Sequence, residues 1–319
     1  MMSKTTPITS APSAGRPGSV RVDLTSSKRD VAGVVMLVML LACMLLTLGI
    51  LTALLAQVFG EATPLLAERG TDFVTSPIGS DPDKLGVWSG LYGSVVIGLS
   101  VAIVAIPLGV AAAIYLEEYA STNSRVTRTI MVNIRNLAGV PAVIYGVLGF
   151  IIFTQWLAPL TGGKSAIAAG LTMSVLVLPI VVITAMESIR AVPRGIRDAG
   201  YGVGASRWEV TRDHVVPYAA PGILTGIVLS IARALGEAAP LIIIGAVTGL
   251  LPETTLTGFF TALPILIYQW TGRSQPPGSE FSFTESAAAA GVVLLVIVFT
   301  FNVVAILLRQ RFERRRAGA

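Results

Sequence analysis

The chain has 319 residues, of which 53% are apolar and 13% are charged, and its formal net charge is +5. Soluble globular domains carry charge at roughly a quarter of their positions, so this composition excludes a water-soluble fold. The single cysteine excludes a disulfide framework or a thiolate metal site built within the chain. The positive charge indicates membrane topology and attraction to anionic lipid, and does not indicate a nucleic-acid partner.

Long apolar runs predict an all-α, polytopic membrane protein, because a bilayer core offers no water to satisfy the backbone outside a helix or a closed barrel. A spanning helix needs about 20 apolar residues. Six runs reach that length, and they predict spans at residues 31–58, 90–116, 137–157, 166–186, 217–247 and 286–308. The fifth run is the longest and requires tilt or an extension beyond the hydrocarbon.

Polar tails flank the six spans. Residues 1–30 are rich in Ser, Thr, Pro and Gly and carry five Lys or Arg, which predicts a disordered basic tail. Residues 309–319 predict a second basic tail. With six spans, 18 Lys and Arg residues lie on the side of both tails and four lie on the other side. Because positive charge concentrates in cytoplasmic segments, both termini are predicted to be cytoplasmic.

Prolines interrupt the predicted spans. Each removes a backbone hydrogen bond, so a neighbouring group or a cavity must accommodate the freed carbonyl. They are Pro107, Pro141, Pro179, Pro217, Pro221 and Pro240. Several spans should therefore bend. In the third span, Pro141 and Tyr145 can place a kink and a phenol beside a substrate path, and helix packing is an equally good interpretation of both.

Between the fourth and fifth spans, residues 187–216 form a polar connection with a regular pattern near its end. The pattern is Asp198, Ala199 and Gly200, then three residues, Gly204, nine residues, and His214 to Pro217. This spacing resembles the signature loop of ABC importer permeases, which reads Glu-Ala-Ala, three residues, Gly, nine residues, Ile-x-Leu-Pro. The chain matches at Ala199, Gly204 and Pro217 and departs at Asp198, Gly200, His214 and Val216.

In that family the loop folds as two short helices that break at the glycine, and it docks into a groove of a cytoplasmic ATPase. The resemblance therefore implies a coupling loop at residues 187–216. Its candidate residues are Asp198, Ala199, Gly200, Gly204, Trp208 and Pro217. Glycine permits the tight break, and Trp208 with Tyr201 offers large apolar contacts of the kind that anchor interfaces. The alternative is an amphipathic loop without a partner.

Arg233 and Glu237 are the only charged residues inside a predicted span. A charge at bilayer depth costs on the order of 3 kcal/mol and is by default a functional-site hypothesis. Their spacing allows them to pair on one helix face, and an oxyanion can compete with Glu237 for the planar guanidinium. Together with Ser230 and Tyr145 they form the candidate substrate path. The alternative is a salt bridge that only fixes helix packing.

Three apolar segments narrow the resemblance to the A-type permease subunits of phosphate importers. They read NLAGVPAVIYGVLGF at 136–150, IARALGEAAPL at 231–241 and FFTALPILIYQW at 259–270. The resemblance runs from about residue 90 to the C-terminus. It implies an ABC type I importer permease fold in a bacterial cytoplasmic membrane, and the same path role for Arg233 and Glu237.

The resemblance also implies partners. They are a second, C-type permease subunit, a dimer of ATPase subunits that use the ATP, an extracytoplasmic phosphate-binding protein and the surrounding membrane lipid. Neither a cofactor nor a metal ion is expected on this chain, and no catalytic residue is assigned.

Two other functional classes remain open. A membrane-embedded enzyme acting on a lipid phosphate would use Glu237 as acid or base, but the spans offer no second carboxylate and no evident nucleophile or metal set. A secondary transporter would be driven by protonation of Glu237 and would need no ATPase.

The aromatic residues between the fifth and sixth spans favour an interfacial belt. They are Phe259, Phe260, Tyr268 and Trp270. A re-entrant lid toward a binding protein is the alternative.

Overall fold

The computed structural model describes residues 31–121, 123–246 and 254–317. The predicted disordered tail at residues 1–30 lies outside the described residues. The described residues form helices joined by turns and irregular segments, with one isolated bridge between Ser165 and Phe259, and the predicted all-α class is confirmed. Contacts divide the chain into two units, residues 1–53 and 54–319.

The described part of the first unit belongs to helix α1, Val31–Thr75. Its residues 32–53 are all exposed, and their apolar side chains suit a hydrocarbon environment. The predicted span at 31–58 lies within α1, but the helix is much longer. It runs on to Thr75 through a non-helical backbone position at Gly70.

The second unit contains twelve further helices among the described residues. They are α2 (Trp88–Ser100), α3 (Ile106–Ile114), α4 (Arg125–Ala138), α5 (Ala142–Gly149), α6 (Ala158–Thr161), α7 (Ala166–Arg190), α8 (Arg194–Gly202), α9 (Arg207–Val210), α10 (Val216–Gly236), α11 (Ala239–Ile244), α12 (Leu263–Thr271) and α13 (Phe283–Ala317). Wider π-type turns continue several of them, at Val101–Ala105, Tyr115–Tyr119, Phe150–Trp156 and Thr211–Val215.

In the described residues, five helical stretches are long and apolar enough to cross a membrane. They are Ala32–Thr75, Trp88–Tyr119, Ala166–Arg190, Arg207–Gly236 and Phe283–Leu307. A sixth is present if α4 and the helix Ala142–Trp156 count as one span, although the two are bent by 102°. A polytopic protein with up to six spans therefore agrees with the sequence.

Helix α7 lies at the centre of the second unit and packs against α2, α3, α5 and α10. Small residues allow these close approaches. A Cβ at Gly226 of α10 would collide with the Thr184 side chain of α7, and one at Gly149 of α5 would collide with Thr172 of α7. Close backbone contact is how membrane helices associate without a hydrophobic driving force.

The second and fourth spans extend a few residues beyond the predicted bounds, at Trp88–Tyr119 and Ala166–Arg190, whereas the third and fifth are limited by helix breaks. The third was expected at 137–157 but begins at Ala142, because Pro141 adopts an extended conformation and ends any continuation of α4. The fifth was expected at 217–247 but stops at Gly236, and Glu237 is extended. The short helix α11 follows and carries Pro240 in its first turn, where proline is well tolerated.

The end of the last helix also differs from the expectation. The sixth span was expected at 286–308 with a separate basic tail at 309–319. Instead α13 begins at Phe283 and its backbone stays helical to Ala317.

The predicted aromatic belt is wrong for two of its four residues. Phe260 and Trp270 are buried, whereas Phe259 and Tyr268 are exposed. The reason is that α12 packs against α2 and α13. Its first residue, Leu263, donates its backbone N–H to the Ser94 hydroxyl oxygen of α2 at 2.9 Å.

Candidate functional site

Arg233 and Glu237 form an ion pair at the end of α10. The Arg233 Nε atom lies 3.6 Å from Glu237 Oε1, so the predicted pairing is present. Arg233 lies in the last turn of the helix, while Glu237 is the residue that follows its end. The pair therefore bridges a helix terminus and does not lie along one uninterrupted helix face as the sequence suggested.

The ion pair is open to its surroundings. The Arg233 side chain is 46% exposed and the Glu237 side chain 29% exposed. The separation of 3.6 Å exceeds the 2.7–2.9 Å of a charge-assisted hydrogen bond. Most of the guanidinium donors therefore remain accessible to an incoming anion.

Ser230 is not part of this open site. It is fully buried, and its hydroxyl donates to the Gly226 carbonyl at 2.8 Å within α10. Residues four apart share a helix face, so Ser230 lies on the side of Gly226, which packs against Thr184 of α7. In this conformation Ser230 supports the α7–α10 contact.

Tyr145 makes a structural contact. Its hydroxyl donates to the Leu137 carbonyl at 2.8 Å, which ties α5 to the end of α4 across the break at residues 139–141. The phenolic proton is therefore engaged with the backbone in this conformation.

The helix break beside Glu237 positions this region, and the sequence prediction missed it. Helix α11 packs on α5, and a Cβ at Gly146 would lie 2.7 Å from the Pro240 Cα atom. This contact holds the segment after Glu237 against the helix that carries Tyr145. Pro240 was the available signal, since a proline marks a point where a helix can restart.

The coupling loop at residues 187–216 contains α8 and α9. Gly204 lies between them with φ +85°, a conformation that favours glycine, so the helix break at this glycine implied by the resemblance is present. The second helix is not a separate short one, because α9 continues through the π-type turn Thr211–Val215 into α10. Ser206 and Glu209 form a reciprocal capping box at the start of α9. Gly200 is buried, and a Cβ there would lie 2.8 Å from the Val210 side chain.

The outer surface of the coupling loop is rich in exposed apolar side chains. Trp208 is 58% exposed, and Tyr201 and Val203 are also exposed. Asp198 and Ala199 lie on this exposed surface as well. Large exposed aromatic side chains on two short helices suit docking to another protein. Pro217 is half-buried in the first turn of α10, where it connects the coupling loop to that helix.

A buried ion pair joins the coupling loop to the end of the Trp88–Tyr119 helix. Arg197 of α8 donates to Glu118 Oε1 from Nη2 at 2.8 Å and from Nε at 3.2 Å. It also donates to the backbone carbonyls of Val192 and Ile189, at 2.7 and 2.9 Å. We call Arg197 and Glu118 the coupling brace. The adjacent Glu117 accepts hydrogen bonds from Arg190 at the end of α7.

An open groove of about 530 Å³ runs between α7 and α10. Hydroxyl-bearing side chains contribute to its lining, together with Gly222 and Gly226. They are Thr184, Ser188, Tyr218 and Thr225. The lining of the groove is mainly apolar, and the hydroxyls of Thr184 and Ser188 donate to backbone carbonyls of their own helix.

The comparisons with known proteins decide the family. Residues 105–318 match the family described as "Binding-protein-dependent transport system inner membrane component". The chain belongs to this family. As a member it is a multi-pass permease subunit of an ABC importer, in agreement with the resemblance stated from its sequence.

Named relatives give further detail. The permease is 36% identical over 231 residues to "Phosphate transport system permease protein PstA 1" of Mycobacterium tuberculosis, covering 72% of this chain and 73% of that protein. It is 27% identical over 304 residues to "Phosphate transport system permease protein PstC" of Mesorhizobium japonicum, covering 86% and 89% of the two chains.

Solved structures agree on the fold. A chain in the crystal structure of a bacterial alginate ABC transporter, in complex with a periplasmic protein bound to an alginate pentasaccharide, matches with a TM-score of 0.57. The sequence identity is 17%, and the match covers 90% of this permease and 96% of that chain. At this identity the likeness supports the fold alone.

Proposed function

We propose that this chain is a membrane-spanning subunit of an ATP-driven importer that carries inorganic phosphate across a bacterial cytoplasmic membrane. The observation that carries the proposal is the coupling loop. Its Trp208 and Tyr201 side chains are exposed and suit docking to a partner protein, and Arg197 binds the loop to a spanning helix. ATP hydrolysis takes place on a separate polypeptide, and this chain is a transport subunit without catalytic residues of its own.

Phosphate is proposed as the substrate on two grounds. The mycobacterial relative is named for phosphate transport, and Arg233 presents a planar guanidinium whose geometry matches phosphate oxygens. An anion that reaches Arg233 competes with Glu237, whose Oε1 lies 3.6 Å from Arg233 Nε and therefore binds the guanidinium only weakly. The hydroxyl protons of Ser230 and Tyr145 are engaged with backbone carbonyls, so in this conformation these two residues serve the packing of the helices that carry them.

The proposed assembly contains four kinds of partner. A C-type permease subunit completes the path, and the relative named PstC supports a related second subunit. A dimer of ATPase subunits binds the two coupling loops, an extracytoplasmic phosphate-binding protein delivers the substrate, and membrane lipid surrounds the spans. The excess of Lys and Arg on the side of both termini supports a cytoplasmic location for the termini and for the coupling loop.

The coupling brace suggests how motion is transmitted. When ATP closes the ATPase dimer, the coupling loop moves with it, and the Arg197–Glu118 pair carries that displacement to the Trp88–Tyr119 helix. Arg190 and Glu117 make a parallel connection to α7. The spans then alternate between outward and inward access to Arg233 as packed bodies.

Phosphate uptake into proteoliposomes tests this function. The vesicles hold this chain with its partner permease, ATPase and binding protein, and uptake is measured with and without ATP. We expect ATP-dependent phosphate uptake that exceeds sulfate uptake. Arg233→Gln should reduce the rate at least tenfold, since it removes the charge, and Arg233→Lys should retain part of it.

The outcomes separate the alternatives. Uptake that survives Arg233→Gln with intact ATP dependence would assign Arg233 a packing role and place the path elsewhere, for example in the α7–α10 groove. Uptake that requires no ATP would contradict the importer and leave a secondary transporter driven through Glu237.

A further inference from the structure

A basic cleft lies beside α4, away from the Arg233 site and from the exposed side of the coupling loop. Its volume is about 340 Å³, and it lies between the end of the Trp88–Tyr119 helix, α4 and the end of α7. The lining residues are Leu116, Glu117, Thr127, Arg128, Met131, Val132, Arg135 and Arg190. Three of these eight residues are arginines, so the cleft concentrates positive charge.

The arginines of the cleft differ in their partners. Arg190 is neutralised by its ion pair with Glu117. Arg128 and Arg135, both exposed, make no ion pair with any carboxylate of the residues that the structure describes. One further carboxylate, Glu187, lines a small adjoining pocket with Arg135 and Arg190. Two guanidinium groups, two turns apart on the same face of one helix, therefore remain available to an anion.

Helix α4 has the character of a helix that lies in a membrane interface. It is bent by 102° from the helix Ala142–Trp156 that follows it, so it runs across that helix. Val126, Ile130 and Leu137 form an exposed apolar stripe on it. At 3.6 residues per turn, this stripe lies on the face of α4 opposite to Arg128 and Arg135. A helix with one apolar and one basic face lies in the membrane interface, with its apolar face at the boundary between head groups and acyl chains and its basic face on the head-group side.

We propose that this cleft binds the phosphate-bearing head group of an anionic phospholipid. Arg128 and Arg135 would hold the phosphate oxygens through charge-assisted hydrogen bonds, while the apolar stripe on α4 places the cleft at the depth of the head groups. The volume is at the low end of the roughly 300–1,000 Å³ of small-molecule sites, which suits a head group with the acyl chains outside.

The placement of the cleft rests on the proposed function in one respect. The lipid comes from the cytoplasmic leaflet only if the coupling loop faces the cytoplasm, as proposed above. The leaflet with anionic lipid attracts basic segments near the membrane surface. A lipid in the cleft would contact both α4 and the ends of the two helices that hold the coupling loop.

Lipid binding to the purified transporter tests the proposal. The assembled complex in neutral detergent is titrated with fluorescent phosphatidylglycerol, and unlabelled phosphatidylcholine and inorganic phosphate serve as competitors. We expect saturable phosphatidylglycerol binding that phosphatidylcholine displaces poorly. Arg128→Gln and Arg135→Gln should each weaken it by about tenfold.

Arg125→Gln is the matched control, because Arg125 lies on the same helix and is exposed outside the cleft. It should change the affinity less than twofold. Val132→Phe is an independent variant, since it fills the cleft and keeps every charge, and it should also weaken binding. The melting temperature of each variant in the same detergent shows that the protein remains folded.

Three results would overturn the proposal. Equal losses in Arg125→Gln and Arg128→Gln would indicate general surface attraction. Unchanged binding in Val132→Phe would place the lipid outside the cleft. Displacement by inorganic phosphate at the concentration that saturates transport would make free phosphate the occupant. The binding assay contains no ATP and measures no uptake, so failure of phosphate transport would leave its result unchanged.

Discussion

Two of the arginine–glutamate pairs in the described part of the chain differ in almost every physical respect. The coupling brace joins Arg197 to Glu118 at 2.8 Å, with side chains only 19% and 5% exposed. The pair of Arg233 and Glu237 is separated by 3.6 Å and is much more exposed. The first joins elements 79 residues apart in sequence, and the second joins one helix to its own end.

This difference indicates what each pair can do. The guanidinium of Arg197 donates hydrogen bonds to Glu118 and to two backbone carbonyls, so few of its N–H groups remain for a further ligand. Arg233 keeps most of its donors accessible. A closed pair transmits force between elements, whereas an open pair can exchange its partner for a substrate.

Glu118→Gln should have the largest effect on stability. It would leave the Arg197 charge buried without its counter-charge, and breaking a buried ion pair costs about 3–5 kcal/mol. We expect a lower yield of folded complex and a lower melting temperature in detergent. Any complex that assembles should hydrolyse ATP with little phosphate uptake.

Glu117→Gln is the matched control for the brace. Its pair with Arg190 is more open than the brace, with the two side chains 55% (Arg190) and 14% (Glu117) exposed, so its loss should cost less than loss of the brace. If Glu117→Gln destabilised the complex as much as Glu118→Gln, the brace would have no special role.

Gly204→Ala should have an intermediate effect. A Cβ in the left-handed conformation at φ +85° costs about 1–2 kcal/mol, and this cost falls on the turn between α8 and α9. We expect weaker ATPase binding in a pull-down with the purified ATPase, with uptake reduced in proportion. Gly202→Ala is the control, as Gly202 has an ordinary φ and open space around it, and it should bind normally.

Arg233→Gln should have a small effect on stability despite its large expected effect on uptake. The pair is half-exposed and loosely held, so its loss should change the free energy of unfolding by less than about 1 kcal/mol. Thermal unfolding in detergent checks this. A loss as large as that of Glu118→Gln would make the two pairs equivalent and favour a bracing role for both.

Acid should produce the smallest effect, at Asp83. The backbone N–H groups of Phe281 and Glu280 donate to its carboxylate at 2.9 and 3.1 Å, and these bonds hold its pKa below the usual 3.8. A lowered pKa stabilises the fold above pH 3.8, and that contribution disappears as the pH falls through the lowered pKa. Asp83→Asn should therefore be less stable than the unmodified protein at pH 6, and the difference should shrink below pH 3.8. A difference that stays constant with pH would contradict this role.

The sequence predicted those features that depend on local patterns. Apolar run length located the spans, and the four-residue spacing predicted that Arg233 and Glu237 pair. The Gly204 spacing identified a loop in which the helix break at that glycine is present.

Features that depend on distant contacts were not predictable in the same way. Glu118 lies at the end of an apolar run, and nothing near it in sequence indicates Arg197 as its partner. The break at Gly236 was missed because apolar residues continue after it, so composition alone favours one long helix. Phe260 and Trp270 were misplaced because their burial depends on space that α2 leaves for α12.

The end of α10 has a further electrostatic consequence. The last carbonyl groups of a helix have no partners within it and carry a partial negative charge, and α10 ends three residues after Arg233. Such a terminus within a membrane span requires protein contacts or a water-filled cavity. It also attracts the guanidinium and repels an arriving anion. An anion that binds Arg233 as proposed would be held against an opposing dipole, which favours short residence times and rapid throughput over tight capture.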